Sequence, residues 1–149
     1  MRIKILVVIA SIAALAACTT AYYRMAGQPT FDPKKPQVYV VQGTSSPYLV
    51  VDQEPIGFPS TNPSNPDKKV KIKWHINDSN YKFDTDGIRF TSGNSNLLSG
   101  CVPDSSSDSD FGCDNDTSVT GSAKYTITVT PKKLGDPTPP PLDPYITNN

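Results

Sequence analysis

Two stretches of this chain alternate between apolar and polar side chains with a period of two residues, and that period decides the fold class. In KVKIKWHI, Val70, Ile72, Trp74 and Ile76 fall on one side and Lys71, Lys73 and His75 on the other. In AKYTITVT, Tyr125, Ile127 and Val129 oppose Lys124, Thr126, Thr128 and Thr130. Successive residues of a strand point to opposite faces of its sheet, so both stretches read as half-buried antiparallel strands. QVYVVQ (37–42) and YLVVD (48–52) are continuous β-branched and aromatic runs on either side of GTSSP, and read as two buried strands joined by a turn. Residues 81–83 and 88–91 are shorter runs with the turn dipeptide Asp86-Gly87 between them, and 97–102 add another short strand. No helical period of useful length occurs after the first residues, so the domain is expected to be all-β.

The chain begins MRIKILVVIASIAALAAC. Arg2 and Lys4 supply a positive start, and residues 5–15 an apolar run too short for a permanent membrane span, which is the layout of a secretory signal peptide over residues 1–17. Its end, Leu15-Ala16-Ala17-Cys18, resembles the lipobox of bacterial lipoproteins. The resemblance implies cleavage before Cys18, a diacylglyceryl thioether on its sulfur and further acylation of its amino group, and two or three acyl chains anchor a protein stably. Thr19 rather than aspartate follows the cysteine, which in such lipoproteins implies release to the outer membrane. Residues 18–36, with three prolines and no sustained period, read as a tether reaching at most about 60 Å at ~3.3 Å per residue. The domain proper is expected over residues 37–133. Residues 134–149 form a Pro-rich tail whose Leu142, Tyr145 and Ile146 favour partial docking onto the domain over a fully solvated tail.

About seven short strands in about a hundred residues match the size and strand spacing of an immunoglobulin-like β-sandwich. Trp74 stands at the inward phase of a strand, where such sandwiches bury a tryptophan, and GSAKYTITVT (121–130) resembles the late strand of many immunoglobulin-like modules, a pattern that cupredoxin-like sandwiches share. IKWHINDSNYKFDTDGIRF, AKYTITV and the closing LDPYITNN are also similar to a group of uncharacterised bacterial envelope domains ending in Leu-Asp-Pro-x-Ile. That resemblance brings no activity with it.

With Cys18 assigned to lipid, Cys101 and Cys113 are the remaining pair. Outside the cytoplasm the surroundings are oxidising, which favours a structural disulfide worth about 3 kcal/mol on a chain-entropy estimate. A structural zinc site needs four nitrogen or sulfur ligands, and a blue-copper site two histidines with a cysteine, whereas His75 is the single histidine. No Cys-x-x-Cys redox pair is present. No cofactor is expected.

The cysteines flank an aspartate-rich stretch that reads as a solvated loop. Asp104, Asp108, Asp110, Asp114 and Asp116 are also weak candidate calcium ligands, in no EF-hand register, since Gly112 stands where a third ligand belongs. They lie in a window, residues 90–123, without a single lysine or arginine. The opposite charge sits on Lys69, Lys71, Lys73 and His75 along one strand face, a candidate contact for lipid phosphates or an acidic partner, or else a solvated face that discourages edge pairing. If loop and strand meet, they satisfy one another. The formal net charge is +0, and becomes slightly negative without Arg2 and Lys4, which gives no footing for nucleic acid. No Gly-x-Ser-x-Gly, Ser-x-x-Lys or His-Glu-x-x-His motif occurs, and Glu54 is the only glutamate. The expectation is a non-enzymatic, lipid-anchored envelope protein serving as an interaction or structural module for an envelope protein partner, with a calcium- or small-ligand-binding sandwich as the alternative.

Overall fold

The computed structural model describes residues 31–59 and 69–149. The signal peptide, Cys18 and most of the tether lie outside these residues. The alternation of KVKIKWHI does as its period requires: in strand β4 (Lys69–Ile76) Ile72, Trp74 and Ile76 are buried, and the lysines and His75 face outward. β1 (Gln37–Gln42) and β2 (Pro47–Val51) form the hairpin read from their two apolar runs, while β6 (Leu98–Asp104) and β7 (Ser107–Asp116) form a second. Together they make a five-stranded sheet in the order β2-β1-β4-β7-β6. β3 (Ile56–Phe58), β5 (Tyr81–Gly93), β8 (Gly121–Pro131) and β9 (Tyr145–Asn148) make the other sheet, in the order β3-β9-β8-β5. The fold is an all-β sandwich.

The inner faces of the two sheets share one core. Trp74 from β4 meets Tyr125 from β8 edge to face, with ring centroids 5.4 Å apart, and its indole N–H donates to the tyrosine hydroxyl at 3.4 Å. Burial pushes the Tyr125 phenol above its ordinary value, so it stays a neutral partner for the indole. Phe83 from β5 and Phe111 from β7 repeat the edge-to-face arrangement at 5.6 Å. Each such pair adds roughly 0.5–1.5 kcal/mol to what its buried area contributes.

Three features differ from the sequence reading. The strands number nine among the described residues rather than about seven, and two pairings, β1 with β4 and β3 with β9, are parallel. Asp86-Gly87 makes no hairpin turn: β5 runs through it, and between Phe83↔Val129 and Ile88↔Ile127 it advances five residues while β8 advances two. The surplus is taken up as an irregularity that folds back over Phe83, so closely that a Cβ on Gly87 would lie 2.7 Å from the Phe83 ring. Hydrophobic spacing alone does not separate such a bulge from a turn.

The third difference is one of extent: the carboxyl-terminal segment, expected to dock in part outside a domain of residues 37–133, supplies β9, an inner strand between β3 and β8. Leu142 opens the pairing by exchanging backbone hydrogen bonds with Ile127 at 2.7 and 3.1 Å. Ile146 is fully buried, whereas Tyr145 faces solvent. At the other end of the chain, the Lys34 and Pro36 carbonyls accept from the Lys73 and His75 N–H groups, so pairing with β4 starts ahead of β1.

Asn148 ties β9 to the opposite sheet. Its amide pairs reciprocally with that of buried Asn115 on β7, at 3.0 and 3.2 Å, and its nitrogen also donates to the Asp116 and Val119 carbonyls at 2.8 and 2.9 Å. An alanine there strands several buried polar groups at once, and each costs about 1–3 kcal/mol when unpaired. Asn148→Ala is therefore expected to lower the unfolding free energy by about 2–4 kcal/mol. Thr147→Ala, on the outer face of the same strand, loses only the hydroxyl contact with Ser122 at 3.0 Å and should change it by less than about 1 kcal/mol. Urea denaturation of both variants checks the contrast.

Candidate functional site

The aspartate-rich stretch is not a loop. It is the end of β6, a tight turn and the whole of β7. Asp104 closes the turn, its Oδ1 accepting from the Ser106 backbone N–H at 2.9 Å and the Ser106 hydroxyl at 2.6 Å. Along β7 the residues alternate. Phe111, Cys113 and Asn115 are buried, which leaves Asp108, Asp110, Gly112, Asp114 and Asp116 in the outward phase.

β7 pairs antiparallel with β4 in a register that sets Lys69 opposite Asp116, Lys71 opposite Asp114, Lys73 opposite Gly112 and His75 opposite Asp110. The lysine face and the aspartates do meet, not as strand and loop but as two rails of one ladder. Lys73 has no side chain across from it and reaches diagonally, its ammonium 2.8 Å from Asp104 and 3.3 Å from Asp110. Asp110 also accepts from the His75 Nδ1 at 2.7 Å, and since an ionised carboxylate only accepts, that nitrogen carries the proton. Asp108 leaves this group and takes a hydrogen bond from Lys132 at 2.9 Å.

The titration of these groups follows from the contacts. The Lys73 ammonium, and then the two Ser106 hydrogen bonds, hold the Asp104 carboxyl far below the usual carboxylate range, and Asp104 in turn raises Lys73. For Asp110, partial burial pushes upward, but hydrogen bonds from His75, Ser107 and Lys73 together with the lysine charge outweigh it, and the net direction is down. Lys132 lowers Asp108 in the same way.

Gly112 leaves a concavity of ≈ 300 Å³ in this face, walled by Val102, Pro103, Asp104 and Ser105 on one side and by Lys71 and Lys73 on the other. A Cβ on Gly112 would lie 3.0 Å from Lys71 Cε, so the lysine stem lies across the position that the glycine leaves empty. Lys71 makes no ion pair among the described residues. Val102, Pro103, Ser105 and Gly112 were not among the sequence candidates. The absence of a side chain at Gly112, amid outward aspartates, is the signal that marks the spot.

Cys101 and Cys113 form a disulfide between neighbouring strands, with Cα atoms 4.1 Å apart. β6 advances from Ser99 to Val102 while β7 advances only from Gly112 to Asp114, and Gly100, at φ +59°, takes the left-handed conformation of this bulge. The bridge therefore staples two paired strands rather than closing a free loop.

As a calcium cage the aspartates are badly arranged, because alternate residues on a strand stand roughly 6.5–7 Å apart and form a row. Among the described residues, no group of three or more His, Cys, Asp or Glu side chains is gathered as a metal site requires. The His75–Asp110 pair has the form of a base and its orienting carboxylate, but the ring bonds to Asp110, and among the described residues no hydroxyl or thiol nucleophile is joined to it. The arrangement is suited to holding opposite charges together on a surface.

No family model matches the chain, and no curated protein matches it.

Depressed carboxylates stabilise the fold above the ordinary carboxylate range, and that contribution is lost as pH falls through their lowered native values. Lys73→Ala removes the leading cause for Asp104 and one cause for Asp110. In the variant both carboxyls should titrate at higher pH than in the parent, and stability should fall less steeply on the acid side. Carbon-detected NMR of the aspartate carboxyls, with thermal melts over the same pH range, measures both.

Proposed function

We propose that the chain is a non-enzymatic envelope lipoprotein, held at the outer membrane by an acylated Cys18 and presenting its β-sandwich as an interaction or structural module. The observation that carries the reading is the pairing of Cys101 with Cys113 between β6 and β7. A disulfide persists in an oxidising compartment, and the pairing leaves Cys18, at the end of Leu15-Ala16-Ala17-Cys18, as the odd cysteine free for lipid. Twelve residues lie between Cys18 and Phe31, a span of at most about 45 Å that would keep the domain near the membrane surface.

The outer face of β4 and β7 supports a module rather than a polyanion receptor. Lys73 and His75, central to the candidate contact, are engaged by Asp104 and Asp110, so an incoming phosphate would have to displace carboxylates already in place. Lys71, beside the concavity, keeps its charge available to an acidic group of a protein partner.

Intact mass spectrometry of the membrane-extracted protein tests the anchor. The expected mass lacks residues 1–17 and carries a diacylglyceryl group with amino-terminal acylation, and Cys18→Ser should move the protein from the membrane to the soluble fraction. An unmodified cysteine in the mature protein, or membrane retention of Cys18→Ser, would refute it.

A further inference from the structure

β2 is the outermost strand of the five-stranded sheet, and only half of its hydrogen-bonding capacity is used. It pairs with β1 from Val38↔Val51 to Gln42↔Pro47, and the Asp52 N–H donates to the Gln37 carbonyl at 3.1 Å, which fixes the phase of the ladder. In that phase Tyr48 and Val50 turn their backbone groups to Val41 and Tyr39, and Leu49 and Val51 turn theirs away from β1. β1 agrees from its other side, since the Pro36 and Val38 carbonyls accept from His75 and Asn77. Among the described residues no backbone group takes up the outward N–H and C=O of Leu49 and Val51.

The other sheet edges carry features that discourage pairing. β6 has its bulge and Pro103, β5 shifts register twice and exposes Arg89, and β3 has only three residues. β2 reads Pro-Tyr-Leu-Val-Val, without a charge. Its outward Tyr48 and Val50 are 47% and 40% exposed, and beside them on β1 Tyr39 is 42% exposed, so an apolar strip runs up to the open edge.

We infer that this edge takes a second copy of the chain, β2 against β2, antiparallel about a two-fold axis at Leu49. The two Leu49 residues then exchange backbone hydrogen bonds, and each Val51 N–H donates to the Pro47 carbonyl of the other copy. The missing N–H of Pro47 falls at the ends of this ladder rather than at its centre. On the outer face Tyr48 of each copy meets Val50 of the other, and the apolar strips of both hairpins become continuous across the seam. Charge favours a like strand over a charged one: the nearest carboxylate, Asp52, comes opposite Ser46 of the second copy, and β2 offers no counter-charge to a strand bearing lysine or aspartate. The seam is small, so the association is reversible. The geometry of β1 and β2 carries this inference, which does not depend on how Cys18 is modified.

The test uses the full chain extracted in mild detergent. Sedimentation over a range of concentrations should show a monomer–dimer equilibrium, the same for Cys18→Ser. Val50→Lys should weaken it by about tenfold or more, with Trp74 fluorescence unchanged as the check of folding. With a short bis-maleimide, Val50→Cys should give a covalent dimer above the wild-type background, and Ser92→Cys, exposed on β5, should not. A wild-type chain that stays monomeric at every concentration, or a dimer cross-linked as well through Ser92→Cys as through Val50→Cys, would overturn the inference.

Discussion

A slip of β4 by one residue against β7 would drive Lys71, Lys73 and His75 into the space that Ile72, Trp74 and Ile76 fill. That exclusion is the constraint on which the rest of the sandwich depends. It seats Trp74 against Tyr125 and so fixes the spacing of the two sheets, and it turns Phe111 toward Phe83 from the partner strand. The same register brings the outward lysines and His75 alongside the outward aspartates, so the core and the charged face are set by one choice. Once β7 is in place, Cys113 faces the core side of β6 and meets Cys101, and Asn115 meets Asn148 from the other sheet.

Electrostatics on this face follow from packing rather than directing it. The pairs are part-exposed, and pairs of that kind add little to stability on their own. Their consequence is for recognition. A row of lysines, read alone, invites a phosphate-bearing partner; with Asp104 and Asp110 drawn onto Lys73 and His75, the face is largely compensated, and Lys71 beside the Gly112 concavity makes no ion pair among the described residues. The apolar edge at β2 lies on the same sheet, with the two-residue overlap of β1 and β4 between it and the ladder.

The fold class was legible because its signal is periodic. Ile72-x-Trp74-x-Ile76 and Tyr125-x-Ile127-x-Val129 admit one interpretation, and both strands occupy inner positions. β7 has the same period but hides it, since its inward phase begins with Ser107 and Ser109 and ends on the polar Asn115, with only Phe111 and Cys113 apolar between them, while aspartates and Gly112 fill the outward phase. Locally the stretch has the composition of a loop, and its burial of Asn115 depends on an amide supplied from residue 148, which no local pattern discloses. For β9 the apolar Leu142 and Ile146 announce docking onto the domain, but the run of prolines before them hides that the segment enters the sheet as an inner strand between β3 and β8. Asp86-Gly87 misled in the opposite direction, offering turn chemistry at a place where β5 only bulges. Of the site, the opposite charges were visible in the sequence; their rung-by-rung opposition required the register, and the concavity required the glycine to be placed across from Lys73.

Residue-resolved native-state hydrogen exchange tests the shared register most directly. If β4, β7, β8 and β9 form one cooperative unit locked by the Trp74–Tyr125 and Asn115–Asn148 contacts, their hydrogen-bonded amides, Ile146 and Asn148 included, will exchange together through the slowest, global opening. Rapid exchange at Ile146 and Asn148 while the β4 and β7 amides stay protected would contradict it, because the carboxyl-terminal strand would then be a detachable tail and not part of the core.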